Sequence, residues 1–275
     1  MRVDAHQHFW KFNPDKDIWI TDDMAVIRKD FLPQHLEPLL KDAGFDGCVV
    51  VQSDQSLQEN IFQLNNATEH AFIKGVVGWV DLQANNIHEQ LQEFSRYKKL
   101  KGFRHVLQGE SQRDLMLSPN FVRGIALLRQ FEFTYDILIF PDQLIYAKNL
   151  AAQFPEQKFV IDHLAKPAIQ KKEIKEWMLD IESIAKLPNV WCKLSGMVTE
   201  ANWKGWRKDD FRPYMDVIVE SFGIDRVMFG SDWPVCLVAA SYEEVVDIVK
   251  DYFAAFSNDE QHKVFGFNAS QFYNF

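Results

Sequence analysis

The stretch from Pro33 to Gln52, PQHLEPLLKDAGFDGCVVVQ, carries the unit from which the rest of the chain can be read. Helix signals run from Pro33 to Ala43 and stop at Gly44, a residue suited to the left-handed cap that closes a helix. The apolar run Gly47-Cys48-Val49-Val50-Val51-Gln52 then reads as a buried strand. Helix, glycine stop and apolar run make one β/α unit.

The unit recurs in both directions. Toward the amino end, Val3-Asp4-Ala5-His6-Gln7-His8 reads as a short first strand. Beyond Gln52, helices are expected over 57–70, 87–97, 120–131, 141–154, 172–186, 209–222 and 242–256, with strands over 73–80, 100–106, 134–140, 159–162, 190–194 and 226–229. Apolar strands without clean alternation fit a parallel sheet covered by helices. Eight such strands in one α/β chain fit a (β/α)8 TIM barrel, a single domain over residues 1–275, better than an open doubly wound sheet.

Composition narrows the partners. A chain of 275 residues with 47% hydrophobic content can bury one large core. With 30 basic against 39 acidic residues and a net charge of −9, it lacks the basic face that a phosphate backbone requires, and no nucleic-acid partner is expected. The clusters Lys171-Lys172 and Lys98-Lys99-Leu100-Lys101 read as solvated helix ends. No apolar run approaches the length of a membrane span and Met1-Arg2-Val3-Asp4 lacks the apolar core of a signal peptide, so a cytoplasmic protein without a membrane partner is expected. Cys48, Cys192 and Cys236 are scattered and odd in number, which argues against a disulfide framework. The first two read as small core residues, whereas Cys236 lies near the candidate site.

Barrel active sites form at the carboxyl ends of the strands, so the polar residues that end each run are the candidates. His6 and His8 leave the first strand on one face, about 7 Å apart along the chain. Gln52, Ser53 and Asp54 end the second run, Trp79 and Asp81 the third, and Arg104 and His105 the fourth. Asp162 and His163 end the sixth, Lys193 and Ser195 the seventh, and Ser231, Asp232 and Trp233 the eighth. The fifth run, Tyr135-Asp136-Ile137-Leu138-Ile139-Phe140, ends without a titratable group. His105 faces away from Arg104 in a regular strand and reads as packed.

These groups permit hydrolysis. A carboxylate such as Asp232 beside imidazoles can take a proton from water, while Arg104 or Lys193 stabilises the oxyanion formed when that water attacks a carbonyl. Lys193 is costly to bury without a partner, which favours a place for it in the site. Equally, His6, His8, His163 and Asp232 are ordinary ligands for one zinc ion with an open position for water. The fifth strand brings no histidine and the fourth no terminal lysine, so one divalent ion or none is expected, not two. A Gly-x-Ser-x-Gly elbow, a phosphate loop and a dinucleotide fingerprint are all absent. Plainer readings are a loop cap for Asp232 and a simple ion pair for Arg104.

Four segments in order, Asp4-Ala5-His6-Gln7-His8-Phe9-Trp10, Asp162-His163-Leu164-Ala165-Lys166-Pro167, Lys193-Leu194-Ser195-Gly196 and Phe229-Gly230-Ser231-Asp232-Trp233-Pro234, resemble the amidohydrolase superfamily. The resemblance covers essentially the whole chain and is nearest to the sugar-lactone hydrolase branch, which includes L-fuconolactonase- and L-rhamnonolactonase-like enzymes. It implies a distorted TIM barrel that opens an aldonolactone ring, as in L-fucose degradation. It further implies Asp232 as the water-activating base with His6, His8 and His163 around the water or metal, and Arg104 and Lys193 on the lactone. No cofactor is strictly required by that resemblance, because the missing fifth-strand histidine and bridging lysine set the chain apart from the two-metal members.

Trp10, Trp79 and Trp233 offer aromatic faces for a sugar ring, or pack the rim. The irregular stretch 11–31 and the loop 198–208, with Trp203 and Trp206, are candidate lids; the tryptophans of the second loop could equally mark the contact of a homodimer. Two other readings stand beside the lactonase. One is a zinc-dependent decarboxylase or amide hydrolase on the same barrel, and the other is a barrel that binds a sugar acid without turning it over.

Overall fold

Eight short strands add to one sheet strictly in chain order, each parallel to the one before it. They are β1 (Val3–Gln7), β2 (Gly47–Val51), β3 (Ile73–Gly78), β4 (Leu100–His105), β5 (Thr134–Ile137), β6 (Phe159–Ile161), β7 (Val190–Leu194) and β8 (Val227–Phe229). The computed structural model describes residues 1–275. Parallel neighbours need crossovers, and these are the helices α1 (Pro33–Ala43), α2 (Leu57–Glu69), α3 (Ile87–Phe94), α4 (Pro119–Leu128), α5 (Leu144–Gln153), α6 (Lys175–Ile184), α7 (Lys208–Phe222) and α8 (Tyr242–Phe253). The α/β barrel expected from the sequence is therefore the fold. Gly44 closes α1 at φ +78°, as its position after the helix predicts.

The boundaries differ in one consistent way. Strands β1 to β6 stop one to three residues before the apolar runs do, most plainly at β5, because the chain peels outward into the mouth loops, whereas β7 and β8 end where expected. No helix is long and apolar enough to cross a membrane.

The barrel closes between β8 and β1 without a regular ladder. The Asp232 amide donates to the His6 carbonyl at 2.8 Å and the His8 amide to the Trp233 carbonyl at 2.7 Å. Below them a side chain takes over: Asp4 Oδ1 accepts the Ser231 amide at 2.9 Å, and Tyr242 of α8 donates to Asp4 Oδ2 at 3.3 Å. The pairing register of β1 slips between Asp4 and Gln7. That slip turns Asp4 toward α8 while His6 and His8 face the barrel interior, so residues two apart do not share a face throughout this strand. Asp4 has no exposed surface, and burial pushes its carboxyl up to about 6 against the hydrogen bonds it accepts from Ser231 and His6.

Two apolar layers hold the wall. The outer one lies between strands and helices. The inner one fills the lower barrel with Val3, Ala5, Val51, Val160, Trp191 and Met228, sealed from beneath by Phe272 and Tyr273. Those two belong to a segment the sequence reading left unassigned, α9 (Asn258–His262) and α10 (Asn268–Tyr273) joined by a π-turn. Asn268 ties α10 in place by donating to the carbonyls of Ile224 and Val227, both at 2.7 Å.

Candidate active site

His6 and His8 meet at the mouth with their Nε2 atoms 3.2 Å apart. Asp232 arrives from the turn after β8 and sets Oδ1 3.3 Å from His8 Nε2 and 3.9 Å from His6 Nε2. His163, from the turn after β6, brings Nε2 to 3.8 Å from the same oxygen. Residues expected from three different strand ends thus converge on one point.

Hydrogen bonds behind the rings set their tautomers. His8 Nδ1 lies 2.8 Å from the Val51 carbonyl and donates to it, leaving the Nε2 lone pair free. His6 Nδ1 lies 3.2 Å from Asp162 Oδ1, and a carboxylate at that distance takes the ring hydrogen. His163 Nδ1 bonds Ser195 Oγ at 2.8 Å. Two imidazole lone pairs and a carboxylate oxygen therefore face one another, a repulsive arrangement unless a cation is shared between them. Ligand bonds of about 2.0–2.2 Å in a tetrahedral zinc site put neighbouring donor atoms about 3.3–3.5 Å apart, close to the His6–His8 and His8–Asp232 spacings of 3.2 and 3.3 Å, with the His6–Asp232 pair wider at 3.9 Å. The donor set fits one such ion.

Charge is arranged to match. Burial pushes the His163 imidazole down to about 4, against the pull of Asp232 and Asp162, and burial drives His6 down as well. Burial opposes the charge on Asp232, yet the imidazoles of His163, His8 and His6 hold its carboxyl below the usual range. At neutral pH Asp232 is therefore a carboxylate, and the His6 and His163 rings beside it are neutral.

The turns that carry this cluster are strained. His163, Leu164, Ala165 and Lys166 all sit at φ between 52° and 57°, and Asp232 at 58°. For residues with a β-carbon this conformation costs about 1 kcal/mol or more each, a cost that clusters at functional sites. Gly196, at φ +61°, is dictated by the same corner, since a β-carbon there would stand 2.5 Å from His163 Nδ1. At Gly230 a β-carbon would stand 2.6 Å from that of His6.

Below the rings lies a second polar layer. Asp162 Oδ2 accepts from Arg104 Nη1 at 3.1 Å, and Oδ1 accepts from Lys193 Nζ at 2.9 Å. Lys193 also pairs with Asp136 of β5 at 2.5 Å. Burial opposes the Asp162 charge, but Lys193, His6 and Arg104 together hold its carboxyl well below the usual range. Asp136 was legible as the lone acid within an apolar strand, where it must find a cation, and the reading of β5 passed over it.

A cavity of about 470 Å³ opens above the cluster. His8, His163, Asp232 and Arg104 line it, and Trp10, Trp19 and Trp203 contribute aromatic wall. The two irregular segments marked as lids both reach it, although Trp206 turns away to donate to the Ala239 carbonyl at 2.8 Å. Two expectations are corrected here. Lys193 has no exposed surface and sits beneath His6, so it does not touch a ligand in the cavity; its partners Asp136 and Asp162 satisfy its charge inside the wall. Trp233 is 2% exposed and packs edge-on against Phe9 and Phe31, which leaves it no face for a sugar ring. His6 likewise reaches the cluster from beneath with no exposed surface. Lys166 and Glu200, paired at 2.7 Å on the cavity wall, carried no signal in sequence that they would meet.

The amidohydrolase family model matches residues 3–275. The chain belongs to the amidohydrolase family. This amidohydrolase is 40% identical over 260 residues to an L-fucono-1,5-lactonase of Burkholderia multivorans, covering 91% of this chain and 88% of that one. It is 34% identical over 280 residues to an L-fucono-1,5-lactonase of Burkholderia ambifaria, covering 99% of this chain and 95% of that one. In structure it is similar to an amidohydrolase from Burkholderia multivorans crystallised with bound zinc, at TM-score 0.96 and 38% identity, covering 100% of this chain and 99% of the other.

Proposed function

We propose that the protein hydrolyses a neutral sugar-acid lactone to its aldonate, with L-fucono-1,5-lactone or a close stereoisomer such as an L-rhamnonolactone as the substrate. The observation that carries the reading is the placement of one charged carboxylate, Asp232, within 3.3–3.9 Å of three imidazole nitrogens at the floor of an aromatic-walled cavity. The similarity to two L-fucono-1,5-lactonases over nearly the whole chain supports the choice of substrate.

Asp232 takes a proton from a water at the cluster as the water oxygen attacks the lactone carbonyl. Arg104, whose Nη1 lies 3.4 Å from His6 Nε2, supplies fixed positive charge beside the oxyanion. Collapse of that oxyanion breaks the ring C–O bond, and the proton held by Asp232 passes to the leaving ring oxygen, directly or through His163. A zinc ion held by His6, His8 and Asp232 would add Lewis acidity and make the water easier to ionise.

The cavity's charge balance favours a neutral substrate over the anionic aromatic acids of a decarboxylase. Each of its three cations already faces a carboxylate: Arg104 with Asp162 at 3.1 Å, Lys166 with Glu200 at 2.7 Å and Lys16 with Asp54 at 3.7 Å. Apart from an ion at the histidine cluster, an anionic ligand finds no unpaired cation there, and a neutral lactone needs none.

The test is proton release, followed with a pH indicator, from a panel of L- and D-aldonolactones before and after chelation. Turnover of L-fucono- or L-rhamnono-lactone establishes the reading, and its loss on chelation with recovery on zinc assigns the ion to the cluster. A panel that stays silent with stoichiometric zinc bound sinks the lactonase.

A further inference from the structure

The buried titratable groups that the mechanism leaves unused lie together under His6. Lys193 and Asp136 are both without exposed surface, and they pair in the barrel interior below the cavity. A buried ion pair is a poor route to stability, because desolvation of both charges offsets their attraction and an apolar pair of the same volume often does as well. The pair therefore calls for another reason, and its contacts supply one.

They form a single alternating line of donors and acceptors. Tyr273 of α10 donates its hydroxyl to Asp136 Oδ2 at 2.7 Å. Lys193 donates to the same oxygen at 2.5 Å and to Asp162 Oδ1 at 2.9 Å. Asp162 Oδ1 in turn accepts from His6 Nδ1 at 3.2 Å. Lys193 Nζ also stands 3.1 Å from His6 Nδ1, so the imidazole cannot swing toward β7 without meeting the ammonium. Asp136 Oδ1 has no partner, so both of its contacts run through the one oxygen that joins Tyr273 to Lys193.

We propose that Asp136 and Lys193 are positioning residues, braced from the barrel floor by Tyr273, that hold Asp162 and through it fix the orientation and tautomer of His6. Neither touches the substrate. Their effect is to keep His6 Nε2 bare and aimed at His8 and Asp232, which connects the floor helix to the chemistry at the mouth. Loss of a partner bonded directly to a ligating histidine, as Asp162 is to His6, typically changes metal affinity or activity by about 10- to 100-fold, and Asp136 and Lys193 act on that partner from one layer further back.

The inference draws its kinetic readout from the lactonase reading and its binding readout from the ligand cluster, and either readout decides it alone. In the full-length protein, Asp136→Asn keeps shape and removes charge, and Tyr273→Phe removes a single hydroxyl. Phe272→Leu is the control, since it loosens the packing against the Tyr273 ring, 4.8 Å away, without removing any hydrogen-bonding group of the line. Zinc affinity is measured by competition with a chromophoric chelator, and kcat and KM with L-fucono-1,5-lactone, all well below each variant's melting temperature. Asp136→Asn should weaken zinc binding and lower kcat by about 10-fold or more with KM nearly unchanged, Tyr273→Phe should move both the same way by a smaller factor, and Phe272→Leu should change neither. A folded Asp136→Asn protein with wild-type zinc affinity and kcat overturns the proposal, as does a Phe272→Leu protein that loses as much. If Asp136→Asn does not fold, Tyr273→Phe decides by the same criteria. If the wild type binds no zinc, the ligand reading of the mouth fails, and the positioning role then stands or falls on kcat.

Discussion

The two ends of this barrel obey different rules. At the mouth, His163 and Asp232 sit in left-handed turns, lone pairs face one another, and Gly196 is required by a ring packed against it. At the floor, Phe272 and Tyr273 press into Val3, Val160, Trp191 and Met228 from a regular helix. Strain is tolerated where chemistry needs an exact placement, and relaxed packing supplies the stability that offsets it. Between the two lies the charged layer of Asp136, Lys193 and Asp162, which belongs to neither.

The sharpest way to break this division is Asp232→Asn. It should lower kcat by about 1,000-fold, within the range for loss of a general base, while the protein still folds, because Asn tolerates the left-handed turn at this position as Asp does. A variant that keeps more than a tenth of wild-type kcat would remove Asp232 from the chemistry. The mirror experiment is Phe272→Ala at the floor. Denaturant unfolding should record a loss of about 3–5 kcal/mol, with kcat of the folded fraction unchanged. A fall in kcat as large as that of Asp232→Asn would erase the distinction between the ends.

The seam between β8 and β1 tests the mouth side by pH. The Asp4 carboxyl stands at about 6 in the folded protein against an ordinary 3.8. Between those values the folded state holds a proton that the unfolded chain releases, so stability is fully present below about pH 4 and falls as pH rises through 6. The loss is about 2–3 kcal/mol. In chelator-treated protein Asp4→Asn should remove that share of the decline between pH 4 and 7 while leaving the share due to Asp136, also raised to about 6. Superimposable pH profiles for the two proteins would argue against a protonated Asp4. Smallest is Trp203→Ala on the cavity wall, expected to raise KM roughly 10-fold with kcat retained, the signature of lost sugar contact. An unchanged KM would show that this ring faces the lactone without binding it.

Legibility in the sequence divides along the same line. The barrel was readable because each unit announces itself locally, as Pro33 to Val51 does. His6 and His8 were readable because a strand end fixes where they go. That His163 and Asp232 join them follows from their own strand ends, but the left-handed turns that aim them do not, since positive φ has no local signature outside glycine. The direction of Lys193 is set by Asp136 on another strand, so the residues around Lys193 carry no sign that it turns down into the wall. The floor helix was missed because nothing about a short amphipathic segment says which end of a barrel it will stop.

The closure of the barrel has a consequence for how activity can be used. The bond from the Ser231 amide to Asp4 Oδ1 spans 227 positions of chain, and the next amide along, that of Asp232, completes the join to His6. Asp232 and the first histidines are therefore joined across the seam where the wall closes. Contacts of such long range form late and slowly. A partly assembled intermediate with seven strands in place should be catalytically silent, and recovery of turnover during refolding should report ring completion itself, lagging behind the return of helical signal.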